Sequence, residues 1–269
     1  MNVFTPGRRI SQQWTYCETT NGYASTNQYN LRKAEEMPDL SAGVDYWQFR
    51  YDRGHTEWQL PYAYPTLVKH YDKLNPDGAA CKVFYPMCGL SLDMAWLIEQ
   101  GMTVVGVELV PHVLRMLVSD GCYNWSEAPV PSLGPEATVV TRSDNRMRIY
   151  CGDMQEYTPE IEGRFDFIWD RGSIQYVRRE NVQRYARSMK NLLNPGGRLL
   201  LVVVEYDLNI LQDKDFRPSM KVPPPYSMSP LEIKELYEPE CTVEHIEQYA
   251  TNGLFGKQER FHVYLVIKK

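Results

Sequence analysis

Apolar positions along the chain follow two periods in turn. Val83-Phe84-Tyr85 is a short apolar run, and the turn Pro86-Met87-Cys88-Gly89 follows it. Leu90, Met94, Leu97 and Ile98 then recur at helical spacing, and Gly101 stops that helix. Residues 103–107 are β-branched apart from one glycine, which predicts a buried strand with Glu108 at its end. Strand, turn, helix and strand over this length predict a right-handed βαβ unit. The pattern continues on both sides of it. Helices are predicted at residues 62–74, 111–120, 180–193 and 231–237, and strands at 148–151, 165–169, 198–205, 242–249 and 261–267. Residues 123–145 read as a loop because they hold Pro129, Pro131 and Pro135, with a hairpin expected around 138–140 and 147–150. Strands alternating with helices predict an α/β fold. We expect a Rossmann-like, doubly wound, mainly parallel seven-stranded sheet closed by a C-terminal antiparallel hairpin.

Two stretches fall outside that repeat. Residues 1–40 are rich in Asn, Thr, Gln, Tyr and Ser without apolar periodicity and are expected to form an N-terminal arm, mobile or loosely docked. Residues 41–269 are then one domain. Within it, 45–60 gathers Tyr46, Trp47, Phe49, Tyr51 and Trp58, an aromatic group suited to a lid. Residues 207–230 carry Pro218, Pro223, Pro224, Pro225 and Pro230 and predict a long irregular active-site loop.

Composition narrows the partners. A net charge of -5 without any basic block argues against nucleic acid. The longest apolar run, 199–204, is too short to span a bilayer, and the opening MNVFTPGRRIS lacks the apolar core of a signal peptide. A cytoplasmic location and no membrane partner are therefore expected. Six cysteines without a C-x-x-C pair predict neither a disulfide framework nor a zinc site, so no metal is expected. No dimerisation signature is present, and a monomer is expected.

The candidate chemistry sits in the βαβ unit. Gly89 lacks a Cβ, so a ligand can approach its backbone. Glu108 follows at the distance where doubly wound folds bind the ribose hydroxyls of an adenosine. A dinucleotide site needs G-x-G-x-x-G to cradle a pyrophosphate. Cys88-Gly89-Leu90-Ser91-Leu92-Asp93 offers one glycine and an acid that repels phosphate. The expected ligand is an adenosine without phosphate and with a positive charge, which S-adenosylmethionine satisfies. An NAD-dependent oxidoreductase is opposed by the missing glycines.

The chain also shows Trp47 with Gly54, the turn Pro86-Met87-Cys88-Gly89, the strand Val104-Val105-Gly106-Val107-Glu108, the strand Phe165-Asp166-Phe167-Ile168-Trp169-Asp170-Arg171-Gly172, and Asn194-Pro195-Gly196-Gly197. Together these resemble the S-adenosylmethionine-dependent methyltransferase fold and, more narrowly, the thiopurine S-methyltransferase family, over roughly residue 45 to the C-terminus. The resemblance implies that Trp47, Tyr51 and Trp58 close over the cofactor. Met87 and Gly89 line its methionine end, Glu108 takes the ribose hydroxyls, and Leu109 packs on the adenine. Asp153 and Met154 flank that ring, Asp153 accepting from its exocyclic amine. Arg171 stands at the mouth, beside both cofactor and substrate, as the candidate catalytic residue.

The chain departs from the family in places. Tyr51 stands where a second tryptophan is usual, Trp58 where a phenylalanine is usual, and Asp153 where a small hydroxyl residue is usual. The loop 251–260 does not align, and Arg260 is the candidate for the family's second substrate arginine. The implied reaction is an in-line displacement that moves a methyl group to the sulfur of a small aromatic or heterocyclic thiol and leaves S-adenosylhomocysteine. Such thiols ionise readily, so no strong general base is needed; Tyr85, Tyr206 and Tyr226 are candidates to touch the acceptor or its proton. The alternatives are another small acceptor (selenium, halide, oxygen or nitrogen) or a non-catalytic regulator that binds the cofactor.

Overall fold

The computed structural model describes residues 43–56, 58–119, 121–207, 225–252 and 258–269. The expected arm at 1–40 and most of the proline-rich loop lie outside these residues. The first described element is helix α1 (Val44–Asp52), and α2 (Pro65–Leu74) follows it. Strand β1 (Lys82–Pro86), helix α3 (Asp93–Glu99) and strand β2 (Thr103–Glu108) then form the expected βαβ unit. β1 and β2 pair in parallel, Phe84 opposite Val105.

Helix α4 (Pro111–Ser119) leads to β3 (Trp125–Pro129), β4 (Thr138–Arg142) and β5 (Met147–Cys151). After a short helix α5 (Pro159–Glu162) come β6 (Phe165–Arg171), α6 (Val182–Leu192) and β7 (Leu193–Glu205). The chain ends with α7 (Pro230–Tyr237), β8 (Cys241–Asn252) and β9 (Gln258–Lys268).

All nine strands join one sheet in the order β3-β4-β5-β2-β1-β6-β7-β9-β8. The central five run parallel, and an antiparallel pair closes each side. The expectation of seven strands is corrected here by the β3–β4 pair. β4 does pair antiparallel with β5, as the expected hairpin around 138–150 required, and β3 adds to β4's outer side. β3 was invisible because it is an edge strand with four of its five residues exposed, so it carries no apolar alternation. Its Pro129 sits at the strand's end, where a missing N–H costs nothing.

The central strands are buried on both faces, which is why their sequences read as continuous apolar runs. On one face Val105, Leu199, Leu201 and Val203 pack against Tyr185, Met189, Ile233 and Tyr237 of α6 and α7. On the other, Val104, Leu200 and Val202 pack against Leu67, Leu74, Met94 and Leu97 of α2 and α3. Gly106 is needed for this second face: a Cβ there would lie 2.6 Å from the Cys88 sulfur and 2.8 Å from Ile149 Cδ1. Strand order reverses beside β1, with β2 and β5 to one side and β6 and β7 to the other. Open α/β sheets bind ligands at this reversal, outside the carboxyl ends of the strands.

Candidate active site

The turn after β1 is shaped by two left-handed residues, Met87 (φ 47°) and Gly89 (φ 54°). Met87 pays for a conformation that side chains avoid, and such strain concentrates at functional sites. Between them the Cys88 amide donates to Val107 O at 3.0 Å, which fastens the turn to the end of β2. Cys88 itself is buried, and burial with the nearby Glu108 pushes its thiol well up, so it packs as a neutral side chain.

Glu108 is the centre of the arrangement. Its carboxylate accepts from the Gly89 amide at 3.0 Å and from the Val110 amide at 2.9 Å. It is 7% exposed and has no cationic partner among the described residues. Burial raises its pKa, against the pull of those amides. A buried carboxylate that faces backbone N–H groups and no cation keeps further lone pairs for hydroxyl donors.

Above this turn lies the aromatic segment. α1 carries Trp47 and Tyr51, and Trp58 follows it. Trp58 meets Trp47 edge-on at 5.6 Å and Tyr51 at 5.8 Å between ring centres. Tyr51 packs with Leu90, Val110 and Val113, and its hydroxyl stands 2.7 Å from where a Gly89 Cβ would be. Trp47 also touches Tyr176, 5.2 Å away in the turn that follows β6. The segment thus roofs the carboxyl ends of β1, β2 and β6 together.

Arg171, at the end of β6, completes the mouth. Its Nη1 donates to the Trp58 carbonyl at 2.5 Å, and its guanidinium lies 4.4 Å above the Tyr64 ring. The sequence therefore anticipated a group that the fold gathers: Trp47, Tyr51, Trp58, Met87, Gly89, Glu108 and Arg171. Leu109 is half-buried beside Glu108. After β5, Met154 is buried, while Asp153 is exposed and accepts from the Gln155 amide at 2.8 Å, capping a short 3-10 turn.

Other readings change. Asp93 faces inward, not toward the cleft: its carboxylate accepts from the Tyr64 amide at 2.6 Å, Trp169 Nε1 at 2.9 Å and the Tyr85 hydroxyl at 3.2 Å. Tyr85 is thereby committed to Asp93, and Tyr206 to the Pro225 carbonyl at 2.8 Å. Arg260 is exposed and approaches Glu205 at 3.9 Å. Tyr64 and Tyr176 escaped the sequence reading because nothing in their local pattern marks them.

The donors fit the ligand expected. A glycine cradle, an uncompensated buried carboxylate, an aromatic roof and the lack of any basic side chain on the Gly89 turn suit a phosphate-free, cationic adenosine compound. The model of the thiopurine S-methyltransferase family matches residues 42–263. The chain belongs to that family. It is an S-adenosylmethionine-dependent methyltransferase. Thiopurine S-methyltransferase of Rattus norvegicus is 29% identical over 215 residues, which is 80% of this chain and 85% of the relative. That of Bos taurus is 29% identical over 224 residues, 81% of this chain and 87% of the relative. Among solved structures, the Burkholderia thailandensis 1,6-didemethyltoxoflavin-N1-methyltransferase, with 1,6-didemethyltoxoflavin and S-adenosylhomocysteine bound, superposes with a TM-score of 0.55 at 18% identity, over 84% of this chain and 87% of that one. TehB of Haemophilus influenzae gives 0.53 at 16%, over 84% and 67%. These two likenesses establish the fold, a Rossmann-like methyltransferase sheet. Among the described residues no helix is long and apolar enough to cross a membrane.

Proposed function

We propose that this methyltransferase transfers its methyl group to the sulfur of a small aromatic or heterocyclic thiol. The observation that carries the reading is the buried Glu108 carboxylate at the switch point, tied to the Gly89 amide and roofed by Trp47, Tyr51 and Trp58. When bound, S-adenosylmethionine supplies a methyl group already activated on a sulfonium. Glu108 would hold the ribose hydroxyls, Met87 and Gly89 the methionine end, and Leu109, Asp153 and Met154 the adenine. The aromatic roof excludes water from the reacting pair. Arg171 presents a fixed positive charge to the acceptor and favours one that arrives as an anion.

The sulfur acceptor is supported by what surrounds Arg171. Asp93 is spent on three donors, and Asp170 accepts from the Ser173 amide at 3.0 Å and the Tyr185 hydroxyl at 2.8 Å. Neither carboxylate is left to act as a base. An acceptor that ionises by itself needs none, and aromatic thiols do so near neutral pH. The family name points the same way. The reading includes a monomer acting in the cytoplasm on a small molecule, in keeping with the net charge of -5.

Calorimetric titration with S-adenosylhomocysteine tests the cofactor half. Glu108→Ala should weaken binding by about tenfold or more, the loss of a charged hydrogen-bond pair. A panel of aromatic thiols, alkyl thiols, phenols and amines tests the acceptor. Turnover of a phenol or amine with no thiol methylated would sink the sulfur assignment.

A further inference from the structure

Tyr64 is fixed at both ends. It directly precedes Pro65 and holds extended backbone (φ -59°, ψ 126°) at the start of α2. Its amide donates to Asp93 Oδ1 at 2.6 Å. Its hydroxyl pairs with that of Tyr249 on β8 at 2.9 Å. Tyr249 is itself stacked on Phe261, with ring centres 5.3 Å apart and planes 8° from parallel. Burial, together with the neighbouring Tyr64, pushes the Tyr249 phenol well up, so Tyr249 keeps its proton. The ring between these anchors cannot swing without breaking one of them.

On that ring lies Arg171. Its guanidinium sits 4.4 Å over the ring centre, and Nη1 is held by the Trp58 carbonyl. Nε and Nη2 have no partner among the described residues. A half-buried guanidinium with a face packed, one edge tied and further donors open is preorganised for a flat anion, because its fork matches two acceptor oxygens or a delocalised charge. Lysine could not be fixed in this way, since an ammonium has no plane to stack.

We infer that Tyr64, braced by Tyr249, is the positioning residue that sets the enzyme's preference for anionic acceptors by fixing the Arg171 guanidinium. The inference rests on the proposed placement of Arg171 beside the acceptor. It assigns to α2 and the terminal hairpin, neither of which carries a motif, a part in choosing the substrate.

The probes are benzenesulfonate, an aromatic anion that offers the fork two acceptor oxygens and has no nucleophilic sulfur, and its neutral counterpart benzenesulfonamide. Each is titrated calorimetrically into the protein with and without saturating S-adenosylhomocysteine. The wild type should bind the sulfonate more tightly. Tyr64→Leu should lower sulfonate affinity by about tenfold, the effect of a partly desolvated cation–π contact, and leave sulfonamide and S-adenosylhomocysteine affinities within about twofold. Tyr64→Phe keeps the ring but breaks the hydroxyl pair with Tyr249, so it should lose only about threefold, the same as Tyr249→Phe and less than Tyr64→Leu. Equal loss for both probes, or a parallel loss of cofactor-product affinity, would make Tyr64 a packing residue and overturn the inference. So would a wild type without charge preference. Should Tyr64→Leu not fold, Tyr249→Phe carries the test: the sulfonate preference falls by about threefold if the brace matters and is unchanged if it does not. A sulfonate preference that depends on Tyr64 while no thiol is methylated would defeat the sulfur assignment and leave this inference standing. Without S-adenosylhomocysteine binding, the titration on the free protein still reads the clamp.

Discussion

A methyl group at Gly89 would stand 2.7 Å from the Tyr51 hydroxyl, on a backbone whose φ is 54°. Gly89→Ala therefore meets two penalties, a clash and a left-handed conformation that costs a side chain about 1–2 kcal/mol. We expect S-adenosylhomocysteine affinity to fall about tenfold in Gly89→Ala, and Gly89→Ala with Tyr51→Phe to recover part of it. Calorimetry on both variants separates the clash from the strain, because only the clash depends on the hydroxyl. Asp93 is the second residue whose context decides its effect. Asp93→Ala leaves three N–H or O–H donors without their acceptor, at about 1–3 kcal/mol each when buried. A loss of about 3 kcal/mol or more in urea denaturation is expected, with cofactor affinity changed far less than in Glu108→Ala. A loss below about 1 kcal/mol would mean that water reaches those donors.

The link from β6 to α6 is held by Asp170, and it titrates. Burial raises the Asp170 carboxyl from its usual 3.8 to about 6, against the opposing pull of Tyr185 and Ser173. The sign follows from linkage: the folded state holds this proton more tightly than the unfolded chain does, so the protein loses stability as pH rises through about 6. The loss is about 3 kcal/mol over the whole range, roughly half of it between pH 5 and 7.5. Asp170→Asn removes the titration and keeps one acceptor oxygen, for the Ser173 amide, while its NH2 faces the Tyr185 hydroxyl, which can rotate to accept. Its stability relative to wild type should therefore rise by about half of that loss between pH 5 and 7.5, read from urea midpoints at each pH. An unchanged difference would show that Asp170 ionises freely.

The elements show why some parts of the molecule could be read in advance. β1 and β2 are buried on both faces, so selection for apolar side chains left a local signal. Helix starts came later than their apolar periods. Residues 62–64 lead into Pro65, and 90–92 form the turn before Asp93, because a proline or an inward-bonded acid fixes the first turn. β3 leaves no signal, since its status comes from the ladder to β4 alone. Glu108 and Gly89 were legible because they lie 19 residues apart in one unit and meet through a single bond. Tyr64 was not, because its partners Asp93 and Tyr249 lie 29 and 185 residues away. Local pattern reports burial, and a role built from distant contacts appears only in the fold.

At the scale of the whole molecule, the site draws on segments that the sheet brings together from both sides of its reversal. The Gly89 turn follows β1, Glu108 ends β2, Arg171 ends β6, and the roof reaches all three. A ligand held there ties α1 to the sheet and binds only the folded chain. S-adenosylhomocysteine at about 100 times its dissociation constant should stabilise the protein by about 2.7 kcal/mol. For a domain of this size that corresponds to about 5–10 °C in Tm. Scanning fluorimetry at increasing concentrations should show Tm climbing with the logarithm of ligand in the wild type, and Glu108→Ala should need about tenfold more ligand for the same shift. The comparison with Arg171→Ala is the informative one. If Arg171 serves the acceptor, that variant follows the wild-type curve from its own lower starting Tm. If it instead closes the roof over the cofactor through Trp58, its curve is displaced along the concentration axis like that of Glu108→Ala, and the guanidinium belongs with the cofactor-binding residues.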